Sequence, residues 1–317
     1  MPQMIKSSII ENKYLRIKTI NLGATLVEVY DKKKKTNLIL NLGVLSNYKN
    51  NKSYLGSTCG RFANRIKNAQ FKIGNKTFKL SRNEGRNLLH GGKVGFDSLY
   101  WNLVKKTNQL ISYELYSKDG DQGFPGNLKV LCNYRLVKNA LTIELTGVSD
   151  QSTHINLVNH AYWNLDLKKN TIHDHELVIK ASSYLENDKA NIPTGKKVRV
   201  TNTPFDFTKW QKIGVQLTKN DKGFDENFIL QGNLAAKLLS KKSNIMLSIF
   251  TNQPGIQFYT GQFLKFKSKQ KTLYPYQGLC LETQNFPNSP NEISFPSSLL
   301  KKNKIYKHIT KYEVTHI

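Results

Sequence analysis

The chain has 317 residues, with 48 Lys and Arg against 22 Asp and Glu for a formal net charge of +26, and 3 cysteines. That length allows one large all-β domain or two average ones. Cys59, Cys132 and Cys280 are odd in number, widely spaced and without a CxxC pair, which argues against a disulfide framework and a zinc site and fits a reducing compartment. The start, MPQMIKSSII, lacks a basic stretch followed by an apolar one, and no run approaches the roughly 18 apolar residues of a membrane span. A soluble, cytoplasmic protein with no membrane partner is expected. The charge alone would suggest a nucleic-acid partner. Its distribution argues against one, because lysine outweighs arginine and falls in expected turns at 32–35, 105–106, 168–169, 196–197, 241–242 and 301–302. The excess is attributed to a compositional drift toward Lys, Asn and Ile, which a GC-rich coding sequence would contradict.

In chain order, short alternating or apolar runs at 14–20, 24–30, 38–40, 71–73, 77–80, 110–116, 128–136 and 141–148 predict strands separated by Gly, Asn, Lys and Pro turns. The second half continues with 154–165, 176–180, 228–230, 245–251, 256–260, 278–282 and 306–314. Helical periodicity is confined to 45–48 and the segment around Gly214. Residues 187–203 and 265–277 are polar and read as loops too short to separate domains. With no fixed-period repeat, the expected fold is all-β: one large antiparallel sandwich over 1–317.

No GxGxxG, GxxxxGK[ST], GxSxG or HExxH occurs, so no cofactor and no metal is expected. His173 and His175 lack an evident third ligand and read as solvated turn residues. Compact polar clusters remain. In 156–165, NLVNHAYWNL, alternation along one strand places Ile155, Leu157, Ala161, Trp163 and Leu165 on an apolar face and Asn156, Val158, His160, Tyr162 and Asn164 on the other. That polar and aromatic mixture suits a ligand with both hydroxyls and C–H surface, such as a carbohydrate. GRFANRI (60–66) supplies Asn64 and two arginines, and NEGRNLLHGG (83–92) presents His90 before two glycines that permit a sharp turn. KGFDENFIL (222–230) places Asp225 at a loop-to-strand junction, and in PGIQFYTGQ (254–262) Gln257 and Tyr259 share a face. In LCLETQNFP (279–287) Glu282 sits among leucines, a costly position for a carboxylate unless it is paired or functional.

Together with GFDSLYWNL (95–103), GFPGNLKV (123–130) and NTPFDFT (202–208), these motifs resemble the aldose 1-epimerase, or galactose mutarotase, family in order from about Gly23 to the 306–314 stretch. The resemblance implies a large β-sandwich and cofactor-free interconversion of the α and β anomers of free hexoses such as galactose and glucose. It implies Glu282 as general base, His160 as general acid and His90 as a second histidine near the ring oxygen. Arg65, Asn64, Asp225 and Gln257 would bind sugar hydroxyls, and Tyr162 or Trp163 would stack on the ring. The partner would be a small-molecule sugar, and the protein a monomer or a homodimer. Two positions depart from the pattern: Asn202, where glycine is usual, and Glu226, where histidine often follows the aspartate. The rivals are a hexose 6-phosphate epimerase, a glycosidase using Asp225 with Glu282, and a non-catalytic carbohydrate-binding sandwich.

Overall fold

The computed structural model describes residues 3–317. A nine-stranded antiparallel sheet forms one layer. Its order is Asn102–Lys106, Leu110–Ser117, Leu128–Val137, Ala140–Ser149, Ile305–His316, Ile245–Thr251, Leu234–Ser240, Glu176–Ile179 and Gln211–Lys212. The inner face carries Tyr113, Cys132, Leu145 and Tyr312, while Lys129, Glu144, Lys307 and Lys311 alternate outward into solvent and form ion pairs there. Two shorter sheets cover the inner face. One is four-stranded, Ser7–Glu11, Leu15–Ile20, Thr25–Asp31 and Thr36–Asn37. It is tied to the large sheet by Thr19 with Tyr113 and by Tyr134, whose hydroxyl donates to the Ala24 carbonyl. The other is six-stranded, ordered Tyr162–Trp163, Leu279–Gln284, Gly255–Tyr259, Asp225–Ile229, Ser183–Asn187 and Pro193–Arg199.

The main apolar core lies between these layers and draws residues from Ile10 to Val314. The Trp163 and Tyr312 rings meet there at 4.9 Å, and Thr283 shares its hydroxyl with His308 at 2.9 Å. Leu279–Gln284 is buried at every position. Its odd-numbered residues face this core, so Cys280, Glu282 and Gln284 point to the opposite side. The expected sandwich is what forms, with helical segments as short as Leu45–Asn50 and Ile213–Leu217.

Several local expectations need correction. Residues 154–165 are three two-residue strands rather than one: Thr153–His154 pairs with Leu299–Leu300, Val158–Asn159 with Thr58–Cys59, and Tyr162–Trp163 with Leu279–Cys280. The chain changes partner because Asn156 and Asn159 turn inward, where Asn156 holds Ala63 and Asn285 and Asn159 holds the Gly56 carbonyl. Lys105–Lys106 and Lys196–Lys197 lie in strands, not turns, and the expected loop 187–203 contains the strand Pro193–Arg199. His175 is buried rather than solvated, its Nε2 accepting the Leu165 N–H at 2.9 Å. Residues 38–40 form a bridge to Trp163 rather than a strand.

Candidate active site

On the side of the six-stranded sheet away from the core, a cavity of about 340 Å³ gathers Asn64, Arg65, His90, His160, Asp225, Gln257 and Glu282. Backbone pairing aligns three of them, since Gln257 lies opposite both Glu282 and Asn227 in adjacent strands and Asp225 opposite Tyr259. His160 arrives from the broken segment just before Tyr162–Trp163, and its Nε2 stands 3.7 Å from Glu282 Oε1. Glu282 Oε2 is buried with no hydrogen-bond partner in the protein. A buried acceptor left open costs free energy and calls for a donor from a bound molecule.

The neighbouring groups are fixed by local geometry. Asn64 and His90 both have positive φ, at 61° and 48°. They bind each other, the Asn64 N–H donating to His90 Nδ1 at 3.2 Å and the His90 N–H to the Asn64 carbonyl at 3.0 Å. Because Nδ1 accepts, the neutral ring carries its proton on Nε2. Gly91 (φ 94°) permits this approach, since a Cβ there would come within 1.8 Å of the Gly60 carbonyl oxygen. Arg65 clamps Glu84 through two bonds of 2.7 and 2.8 Å and lies 4.0 Å from Asp225 Oδ2. Gln257 donates to Asp225 Oδ1 at 2.8 Å.

Burial dominates the electrostatics. It raises Glu282 well above the usual carboxylate range, with Asp225 adding to the rise and Arg65 opposing it. It lowers His160 to about 4. The 3.7 Å contact, taken as an ion pair, would pull both values the other way, and desolvation outweighs it. His90 is pushed well below its ordinary value by burial, His160 and Arg65, so it stays neutral. Asp225 is raised by burial against the pull of Arg65 and Gln257. Burial works against the Arg65 charge too, but Glu84 and Asp225 hold it above its ordinary value.

Some lining residues carried no sequence signal. Tyr54 lies 4.6 Å from His90 with the two rings tilted by 50°, and Tyr162 stacks 5.2 Å from His160 on the other side. Nothing in NKSYLG marks Tyr54, which comes from a polar turn. Glu84 lay inside a cluster already singled out, where a lone acid near two arginines was the available clue. Of the two stacking candidates, Tyr162 lines the cavity and Trp163 is in the core. Arg61, the other arginine of GRFANRI, is structural: buried, it donates to the carbonyls of Pro125, Gly126 and Ser117. Asn202 has φ 61°, a left-handed conformation that asparagine tolerates better than other side-chain-bearing residues, which accounts for its standing in a glycine's place. Glu226 accepts the Asp225 N–H at 2.8 Å and does not line the cavity. A larger cavity, about 570 Å³ around Asn233, Asn252 and Tyr306, contains neither histidine nor carboxylate.

The aldose 1-epimerase family profile matches residues 6–313. The galactose mutarotase of Sus scrofa is 38% identical over 313 residues, 95% of this chain and 91% of that protein. The aldose 1-epimerase of Escherichia coli is 36% identical over 282 residues, 84% and 81% of the two chains. The crystal structure of an aldose epimerase homologue from C. elegans superposes with a TM-score of 0.94 at 30% identity, covering 99% of this chain and 100% of that one. The galactose 1-epimerase of Lactobacillus acidophilus gives 0.88 at 30% identity, with 99% of each chain covered. Fold and relatives together define an isomerase of the epimerase class. The chain belongs to the aldose 1-epimerase family. Among the described residues, no helix is long and apolar enough to cross a membrane.

Proposed function

We propose that this chain interconverts the α and β anomers of a free hexose, galactose or glucose, in the cavity around His160 and Glu282. One observation carries the proposal: an imidazole and a carboxylate 3.7 Å apart, both buried, on the floor of a cavity whose other groups are hydrogen-bonding side chains. Opening a hemiacetal needs a base at the anomeric hydroxyl and an acid at the ring oxygen. Glu282 takes the O1 proton as His160 gives one to O5 and the C1–O5 bond breaks. The aldehyde turns about C1–C2, and on reclosure the O5 proton returns to His160 and the Glu282 proton to O1, so nothing is consumed. Burial makes each charged form scarcer at neutral pH and more reactive where it occurs, since a carboxylate with a raised pKa is a better base and an imidazolium with a lowered pKa a better acid; the reacting pair is the minor charged form that the 3.7 Å contact favours.

His90, neutral with Nε2–H, serves as a fixed donor near the ring oxygen. Arg65, Asp225, Gln257 and Asn64 hold the remaining hydroxyls while C1 swings, and Tyr162 and Tyr54 supply aromatic faces for the sugar's C–H surface. The glycosidase alternative would use Asp225 with Glu282, but Asp225 is engaged by Gln257 and faces Arg65, whereas His160 is the group set against Glu282. Polarimetry of freshly dissolved α-D-galactose and α-D-glucose tests the proposal. Acceleration over the spontaneous drift is expected, and an unchanged drift with both sugars overturns it.

A further inference from the structure

We infer that His160, Cys280 and Glu282 form a site for one thiophilic divalent cation of the Zn²⁺ or Cd²⁺ class, and that its occupancy blocks the sugar reaction. The blocking half rests on the function proposed above, and the binding half does not. One ligand atom from each residue lies within 4.8 Å of the others. Atoms so spaced share a centre within about 2.8 Å of each, and shifts of about 0.5–0.8 Å bring that to the roughly 2.0–2.3 Å of zinc–ligand bonds. Thiolate, imidazole and carboxylate together are a zinc-type set.

Cys280 and Glu282 are two residues apart on one strand and so share a face, while His160 Nδ1 is 3.4 Å from Cys280 Sγ. A second sign is Glu282 Oε2, buried and unpartnered on a residue only 3% exposed, the same open acceptor that a bound sugar would otherwise satisfy. His160 and Glu282 line the cavity, which supplies room for a water as the fourth ligand, the open arrangement typical of three-residue zinc sites. A divalent charge also reverses the cost of ionising groups in this interior, because a coordinated thiol is deprotonated by the metal. As the S–metal bond forms, the Cys280 proton leaves to buffer. The bound ion then takes the Glu282 lone pair that ring opening requires and sets its charge and water against the sugar's position, so inhibition should be competitive with sugar. Cys59 and Cys132 are equally buried, but among the described residues neither belongs to such a group.

The test uses the full chain after EDTA treatment. Cd²⁺ is titrated while its thiolate charge-transfer absorption is followed, and ZnCl2 is titrated in the polarimetric assay. The expected result is one Cd²⁺ per chain, with the band lost in Cys280→Ser and Cys280→Ala and kept in Cys132→Ser. Zinc should lower the wild-type rate at least about tenfold, with EDTA restoring it and galactose protecting, while the zinc needed for half-inhibition of Cys280→Ser rises at least about tenfold. Absence of the band, its persistence in both Cys280 variants, or a normal rate in saturating zinc would overturn the inference. A chain that binds Cd²⁺ through Cys280 yet turns over no sugar would sink the proposed function and leave the metal site standing. Should both Cys280 variants fail to fold, X-ray absorption of the zinc-loaded wild type decides: a sulfur in the first shell is expected, and an all-nitrogen/oxygen shell refutes the site.

Discussion

Replacing Glu282 with glutamine separates chemistry from folding. The two side chains are nearly isosteric, and Glu282 Oε2 has no hydrogen bond in the protein to lose. The carboxyl is also held against burial and against Asp225, so a neutral amide removes an unfavourable term rather than a favourable one. The melting temperature should therefore hold or rise. The rate should not. A positioned general base is typically worth about 10²- to 10⁴-fold, a barrier increase of roughly 2.7–5.4 kcal/mol. Polarimetry of α-D-galactose, corrected for spontaneous mutarotation, gives kcat and KM, and thermal unfolding followed by circular dichroism gives stability. A kcat within about tenfold of wild type would remove Glu282 from the role of base. A lost rate accompanied by a collapsed melting temperature would show the residue to be structural.

Arg65→Lys keeps a positive charge but loses the two-pronged grip on Glu84, so KM should rise about 10- to 100-fold with a smaller change in kcat, as steady-state polarimetry would show. An unchanged KM refutes it. Phe258→Ala empties the middle of a ring cluster with Phe207 and Phe224, both centred 5.3 Å away, and should cost about 3–5 kcal/mol in urea unfolding; a loss under about 1 kcal/mol would contradict the packing. Stability should also fall in mild acid. Burial lowers His154 and His308 to about 4 from 6.5, so the unfolded chain binds protons that the folded one refuses. The contribution of each is complete above pH 6.5 and is lost progressively down to about pH 4, roughly 3 kcal/mol apiece. Urea midpoints that stay level from pH 7 to 4.5 in wild type, or a His308→Gln variant with the same acid sensitivity, would argue against this origin.

The strands most legible in the sequence were those with one face in the core, such as Leu128–Val137 and Ala140–Ser149, where alternation follows burial residue by residue. Those missed lack that contrast. Asn102–Lys106 is an edge strand exposed at every position, and Pro193–Arg199 is mostly polar because it too closes a sheet edge. Ser7–Glu11 and Ser183–Asn187 carry too few apolar residues to stand out, and Leu234–Ser240, rich in buried alanine and leucine, shows no two-residue period. Single-strand alternation placed His160 and Tyr162 on one face correctly, yet it could not foresee that Asn156 and Asn159 just before them would break the strand, because their partners come from 56–63 and Asn285. The same limit applies to the cavity. Glu282 stood out through its own leucine neighbours, while Tyr54 acquires meaning only from two histidines distant in sequence.

The middle of the nine-stranded sheet is occupied by Ile305–His316, the last strand in chain order. As the polypeptide leaves the ribosome, the ten-residue strand Ala140–Ser149 presents an open rim for as long as the intervening half of the chain takes to be made. Translation cut short before that final strand would yield two unjoined half-sheets, not a smaller working enzyme.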